Sequence, residues 1–70
     1  MVRCKFECIR KTIYEDWVEY EFSAVTQGSE ENKNFFKFTP NGTLKFGCVN
    51  PTVDFIVGKE YYLDLLQCGI

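Results

Sequence analysis

Apolar and polar side chains alternate with period two in four stretches of the chain, at 2–8, 17–25, 43–49 and 59–66. Such alternation is typical of a β-strand with one buried face and one exposed face. The stretch 17–25 is the most regular, and we expect it to be the central strand. The predicted inward residues are Val2, Cys4, Phe6 and Cys8, then Val18, Tyr20, Phe22 and Ala24, then Leu44, Phe46 and Cys48, and finally Tyr61, Leu63 and Leu65.

Residues 9–16 connect the first two predicted strands and contain several charges but no glycine or proline. We expect them to turn the chain back, so that the two strands form an antiparallel hairpin. Opposite charges that face each other across a strand pair stabilise it by roughly 0.2–1 kcal/mol, and like charges destabilise it. The pairs predicted on this ground are Lys5 with Glu19 and Arg3 with Glu21, and this register also places Glu7 opposite Trp17.

A short helix is predicted between the second and third strands. Ser29 is a favoured N-cap residue, and Glu30 and Glu31 follow in the first turn, where the helix dipole favours negative charge. The residues Thr-Pro-Asn-Gly at 39–42 end the helix, because proline cannot continue it and Asn-Gly favours a turn. An aromatic stripe of Phe35, Phe36 and Phe38 is expected on the helix, with Phe35 and Phe38 facing the interior.

These elements, in the order strand, strand, helix, strand, strand, predict an α+β fold. The expected architecture is a small, strongly curved antiparallel sheet approaching a β-barrel, with one short helix. Residues 52–56, after Asn-Pro, are expected to form either a single helical turn or an irregular crossing.

The small size of the chain favours association with a partner. Its 70 residues allow a single small domain, 1–70. In such a domain an ordering cost of ~1.5 kcal/mol per residue roughly cancels a gain of ~25 cal/mol per Å² of buried apolar area. Aromatic residues, at 17% of the chain, bury much area at a small cost in rotamer entropy and make a compact fold feasible. Self-association would stabilise it further.

Four cysteines raise the question of a metal site or a catalytic thiol. Zinc ligands usually come as two close pairs, but only Cys4 and Cys8 are near each other, and the chain has no histidine. The missing histidine also removes the usual activating partner of a catalytic cysteine. We therefore expect Cys4, Cys8 and Cys48 to be buried free thiols. No catalytic, cofactor-binding or metal-binding residue is predicted, and the chain is not expected to be an enzyme.

A formal net charge of −2 gives no overall electrostatic signal for nucleic-acid binding. An alternative function is nevertheless a single-stranded nucleic-acid-binding small barrel, in which outward aromatic side chains stack on bases. The residues that fit this outline are Trp17, Tyr62, Arg3, Lys5 and Lys45. The outward carboxylates that would repel phosphates are Glu7, Glu19, Glu21, Glu60 and Asp64.

Five segments carry a resemblance to known proteins, and they cover somewhat more than half of the chain. They are SEENK at 29–33, FFK at 35–37, TPNGTL at 39–44, NP at 50–51 and FIVGKEYYLD at 55–64. With these segments the chain resembles a family of small proteins from tailed bacteriophages, marine phages included. The resemblance implies a phage or prophage origin and brings no catalytic residue with it. It implies the bacterial host cytoplasm, which agrees with a sequence that has no signal-peptide pattern and no apolar run of transmembrane length.

The outward face of the predicted sheet carries more large apolar groups than scattered exposure explains. We therefore expect a non-enzymatic accessory protein that acts by binding another protein or by self-association, most simply as a twofold homodimer. Trp17 is the expected anchor, because tryptophan and tyrosine dominate interface energetics. The residues predicted to form the partner or oligomer interface are Ile9, Trp17, Val25, Val49 and Tyr62.

Overall fold

The predicted order of two strands, a helix and two strands is the order found in a computed structural model, which describes residues 2–36, 41–49 and 53–69. The elements are β1 (Val2–Ile13), β2 (Val18–Ala24), α1 (Glu30–Phe35), β3 (Thr43–Cys48) and β4 (Glu60–Leu65).

The four strands form one antiparallel sheet in the order β3-β2-β1-β4. This is a Greek-key order, in which the last strand returns along a long connection to lie beside the first. Because β4 pairs with β1 rather than with β3, the two outer strands stay at opposite edges. The sheet is therefore open, and the expected approach to a barrel is not observed.

The predicted hairpin register is wrong because β1 is longer than the alternation of apolar residues suggested. β1 continues to Ile13, and the turn is short, with the Tyr14 N–H donating to the Trp17 carbonyl at 2.8 Å. A β-bulge between Cys8 and Arg10 then shifts the register by one residue. The pairs observed are Glu7 with Ser23, Arg10 with Glu21, Lys11 with Tyr20 and Thr12 with Glu19.

Arg3 and Lys5 of β1 form their ion pairs with carboxylates of β4 instead of β2. Arg3 lies opposite Asp64, and Lys5 lies opposite Tyr62 with its ammonium 3.8 Å from Glu60. Opposite charges do face each other across the strands, as predicted, but the strand that carries the carboxylates for Arg3 and Lys5 is β4 and not β2.

The helix α1 begins as predicted and packs differently. Ser29 is the N-cap, and its hydroxyl accepts a hydrogen bond from the Asn32 N–H at 3.2 Å. The helix has only six residues, and Phe36, which follows in an extended conformation, packs against the core. Phe35 is 46% exposed, so its predicted inward position is wrong. Phe38 lies outside the described residues.

The core occupies one face of the sheet, hereafter the inward face, and the opposite face is the outward face. Its fully buried members all belong to the two central strands, where burial confirms six of the eight predicted inward residues. Val18 is half-buried and Val2 is exposed. The corresponding residues of β3 and β4 are half-buried, and the corner pair Val2 and Leu65 is exposed, because it closes the end of the sheet. The buried apolar residues are Cys4, Phe6, Cys8, Tyr20, Phe22 and Ala24.

Residues 53–57 form an irregular crossing over the middle of the inward face. Phe55 is its anchor, and its ring meets four others edge to face at centroid distances between 5.1 and 5.9 Å. The four rings belong to Tyr20, Phe22, Phe46 and Tyr61. Among the described residues no helix is long and apolar enough to cross a membrane.

Candidate functional site

The outward face is covered by charge pairs between neighbouring strands. Of the seven lysine and arginine residues that the structure describes, six have a carboxylate within 4.0 Å. Arg3 and Asp64 form a bidentate pair, with nitrogen to oxygen distances of 2.7 and 2.9 Å. This pairing leaves little positive charge for the phosphates of a nucleic acid. The other pairs on this face are Lys5–Glu60, Arg10–Glu21 and Lys45–Glu19.

The five residues predicted as an interface do not form one continuous patch. Trp17 and Val49 line the same groove at the hairpin end of the sheet. Ile9 lies at the bulge of β1, and Val25 is half-buried just after β2. Tyr62 lies on β4, where the cations of Arg3 and Lys5 are 4.8 and 5.4 Å from the centre of its ring. Their joint role as an interface stays a prediction.

The inward face keeps an uncovered apolar hollow beside the 53–57 crossing. The hollow has a volume of about 170 Å³, and aromatic and aliphatic side chains make up nearly all of its lining. No charged residue lines it among the residues that the structure describes. We call it the inward hollow. Its lining residues are Phe6, Phe22, Leu44, Phe46, Tyr61, Tyr62 and Leu63, with Phe55 on one wall.

A second and larger concavity lies where the β1–β2 hairpin ends. It has a volume of about 430 Å³ and is open to solvent. Its lining includes residues 14–17 of the turn, Lys11 and Tyr20 of the strands, Val49 after β3, and Val53 and Asp54 of the crossing. We call it the hairpin groove.

Two aromatic rings stack on each other where the β1–β2 hairpin turns, next to Gly47 of β3. The rings of Tyr14 and Trp17 are nearly parallel, with centroids 4.3 Å apart. Behind Trp17 lies Gly47 of β3, where an added Cβ would be only 2.6 Å from the indole Cε3. A glycine is therefore required at this position for Trp17 to rest on the strand. The sequence around Gly47 gives no local sign of its contact with Trp17, which lies thirty positions away in the chain.

Three polar side chains form a network beside the groove. Lys11 donates to Asp54 Oδ1 at 2.7 Å, and the hydroxyl of the buried Tyr20 donates to the same oxygen at 3.1 Å. These two hydrogen bonds lower the pKa of Asp54, with Lys11 as the larger cause. The bond to Asp54 raises the pKa of Lys11. Burial is the main cause of the raised pKa of Tyr20, with the bond to Asp54 second.

Acid is expected to weaken the contribution of Asp54 to stability. Because its folded-state pKa lies below the unfolded value, the stabilisation is complete above about pH 4 and is lost as pH falls through the folded pKa. The difference in unfolding free energy between the native protein and Asp54→Asn should therefore shrink below pH 4. Urea unfolding at several pH values measures it, with Asp16→Asn as the control outside the network. A difference that is constant with pH would contradict this expectation.

The described residues offer little for catalysis or metal binding. Within 2–36, 41–49 and 53–69, no group of three histidine, cysteine, aspartate or glutamate side chains converges on a metal position. Burial raises the pKa of the Cys4 and Cys8 thiols, which disfavours the reactive thiolate. Cys48 is half-buried, and Cys68, for which no burial was predicted, is exposed.

No family model, curated protein or solved structure matches this chain. Any inference about function therefore depends on the two concave surfaces, the inward hollow and the hairpin groove.

Proposed function

We propose that this protein is a non-enzymatic association module that forms a twofold homodimer by packing two inward faces together. The observation that carries the proposal is that the described residues form only a single incomplete layer over the core. The Cα atoms extend 39 × 34 × 15 Å along the principal axes, a flat shape, whereas stable domains consist of two packed layers. The 53–57 crossing is only a narrow part of the missing second layer.

The exposed area agrees with a missing partner. The chain exposes 5497 Å², whereas a compact monomer of this mass exposes about 4,500 Å². The excess of about 1,000 Å² is close to the ~800 Å² that each partner buries in a standard interface. The surface left over is thus large enough for a specific dimer.

A second copy is the partner that the chemistry of this face favours. The inward hollow is lined by apolar groups without a charged residue among those described, so it has no charge pattern that would select a different protein. An apolar face is complementary to itself, and a twofold axis brings the same residues together from both copies. The hydrophobic effect then acts on Leu44, Phe46 and Leu63, which the monomer leaves half-buried.

The setting proposed for this module is the one that the sequence resemblance implies. We place it among accessory proteins of tailed bacteriophages that act in the bacterial host cytoplasm. The paired charges of the outward face support protein association over nucleic-acid binding, because a phosphate chain would have to displace several carboxylates.

Leu63→Lys is expected to dissociate the dimer, because it places an ammonium group in an apolar interface. The dimer dissociation constant should rise at least about 100-fold, which corresponds to about 2.7 kcal/mol. Sedimentation equilibrium from micromolar to submillimolar concentration measures it, and circular dichroism establishes that the variant is folded. Since Leu63 is half-buried on an edge strand, we expect the monomer to tolerate lysine there.

Thr43→Lys is the matched control, because Thr43 is exposed on the outward face of the other edge strand, β3, and does not line the inward hollow. It should leave the dimer intact, as should Trp17→Ala. A native protein that stays monomeric at the highest concentration would overturn the proposal. If Thr43→Lys or Trp17→Ala dissociates the dimer and Leu63→Lys does not, the interface lies on the outward face.

A further inference from the structure

We infer that β4 is a second association surface, whose free edge pairs antiparallel with β4 of another copy around a twofold axis at Leu63. β4 is one of the two edge strands of the sheet, and its inner edge is paired with β1. The edge contact uses backbone groups that point sideways, in the plane of the sheet, whereas the proposed dimer uses side chains of the inward face. The inference therefore stands independently of that dimer, and both contacts can exist in one assembly.

A hydrogen bond at the start of β4 shows which of its backbone groups are free. The Cys8 N–H donates to the Lys59 carbonyl at 3.0 Å, and hydrogen-bonded pairs recur at every second residue of an antiparallel ladder. In the β1–β4 register the odd-numbered residues of β4 therefore bond to β1. The even-numbered residues point their N–H and C=O groups away from β1, and no described residue hydrogen-bonds to these groups. They are Glu60, Tyr62 and Asp64.

β4 lacks most of the features that protect an edge strand from pairing with another chain. Such strands are commonly guarded by lysine, proline or a bulge. The other edge strand, β3, carries Lys45 in its middle and Gly47 near its end. β4 has the sequence Glu-Tyr-Tyr-Leu-Asp-Leu, with no lysine, glycine, proline or bulge. β4 is therefore the edge that is open to a further strand, and its two carboxylates limit the registers in which one can pair.

The charges of β4 select one register for pairing with a second copy. Glu60 and Asp64 lie on the same face of the strand, so a twofold axis at Tyr62 would place them directly opposite each other. An axis at Asp64 would oppose that carboxylate to its own copy. An axis at Leu63 avoids both contacts, because Asp64 then lies opposite Tyr62, and Glu60 lies opposite Leu66. Like charges directly opposite each other destabilise a strand pair, and axes farther from the middle of β4 form fewer hydrogen bonds. The axis at Leu63 is therefore favoured.

Two cations of β1 complete this pairing on the outward face. Arg3 binds Asp64 through two hydrogen bonds and lies 4.8 Å from the centre of the Tyr62 ring. Lys5 lies 5.4 Å from the centre of the same ring. Across the axis, Asp64 of one copy lies beside Tyr62 of the other copy, whose ring is close to these cations. Each Asp64 carboxylate thus meets positive charge from both copies.

The same register covers the apolar end of β4. Leu65 and Leu66 are 52% and 70% exposed, although the pairing with β1 extends to Leu65. With the axis at Leu63, Leu65 lies opposite Tyr61 of the second copy, and Leu66 lies opposite Glu60. Pairing therefore removes apolar surface from water. Each opposed pair of free residues also exchanges two backbone hydrogen bonds.

A backbone N-methyl group at Tyr62 tests the inference, because it removes a free N–H and blocks the close approach of a second strand. It is introduced by chemical synthesis into the full-length Leu44→Lys variant, whose lysine lies on the inward face of β3 and prevents the proposed dimer. Leu44→Lys should still dimerise, and the N-methyl group should raise its dissociation constant at least about 100-fold. Sedimentation equilibrium measures both. A monomeric Leu44→Lys protein, or a dimer that the methyl group leaves unchanged, would overturn the inference.

N-methylation at Lys45 is the matched control. The Ala24 N–H donates to the Gly42 carbonyl at 2.9 Å, so by the same alternation the Lys45 N–H points away from β2. This N–H lies at the free edge of β3, and its methylation should leave the dimer unchanged. If circular dichroism shows that Leu44→Lys is unfolded, the native chain takes its place. N-methylation at Tyr62 should then lower the mass of the assembly, and equal masses for the two methylated proteins would contradict pairing through β4.

Tyr62→Glu in the Leu44→Lys chain tests the register. It would place a glutamate opposite Asp64 on both sides of the axis, and it should weaken the dimer about tenfold, with a larger effect at low salt. Thr43→Glu adds the same charge on the outward face of β3 and should leave the dissociation constant unchanged. Equal effects of the two substitutions would exclude an axis at Leu63.

Discussion

We expect Asn32→Asp to lower the free energy of unfolding by about 3 kcal/mol or more, although aspartate has almost the same shape as asparagine. Asn32 is 1% exposed and is the one buried residue of α1. Its side-chain oxygen accepts from the Lys5 N–H at 2.6 Å, and its amide donates to the carbonyls of Lys5 and Val25 at 2.8 and 2.7 Å. It thereby satisfies backbone groups of β1 at the point where β2 has ended.

Aspartate can reproduce only the accepted bond of this arrangement. Its carboxylate cannot donate, so two backbone carbonyls would face a negative oxygen in place of an N–H group. Each buried polar group that loses its partner costs about 1–3 kcal/mol, and the desolvated charge adds to this. For a domain of this size the total stability is only about 4–10 kcal/mol. Loss of the Asn32 amide group would therefore remove a large fraction of the free energy of unfolding.

Asn34→Asp is the matched control, since Asn34 is exposed on the same helix. Its effect should stay within about 0.5 kcal/mol, as for other surface substitutions. Urea unfolding followed by circular dichroism measures both variants under identical conditions. Equal stabilities for the Asn32→Asp and Asn34→Asp proteins would show that the three hydrogen bonds contribute little.

The strands and their faces were predictable from sequence because period-two alternation reports burial directly. Cys4, Phe6, Tyr20 and Phe22 were all placed on the inward face, where they are buried. The Ser29 cap was predictable for the same kind of reason, since capping is a local interaction. These features depend on residues that are close together in the chain.

The register and the groove were not predictable because they depend on contacts between distant residues. The bulge beside Cys8 reverses the alternation and places Lys11 opposite Tyr20, and this brings Lys11 to Asp54. Asn32 also escaped notice, because a lone asparagine in a polar helix is usually a surface residue. Nothing near it in the chain indicates that its partners are the backbone groups of Lys5 and Val25.

We expect Gly47→Ala to destabilise the protein by about 1–3 kcal/mol and to expel Trp17 from its place on β3. The added methyl carbon would lie 2.6 and 2.7 Å from two carbons of the indole ring, well inside van der Waals contact. The backbone itself does not require glycine, since the positive φ angles of the described residues belong to Gly28 and Gly58. The whole cost should therefore come from the displaced ring.

The same substitution should change sign when Trp17 is absent. In a Trp17→Ala background, Gly47→Ala meets no ring, and replacing a strand glycine should be neutral or stabilising by about 0.5–1 kcal/mol. A double-mutant cycle by urea unfolding measures this coupling. Additive effects would show that Trp17 does not rest on Gly47 in solution.

In the single Gly47→Ala variant, fluorescence gives an independent view of the groove. The indole should lose its stacking on Tyr14 and move into water, so its emission should shift to longer wavelength. The inward hollow lies elsewhere on the molecule, and the dimer should persist. If the dimer dissociates as the Trp17 emission shifts, the hairpin groove and the inward face are coupled.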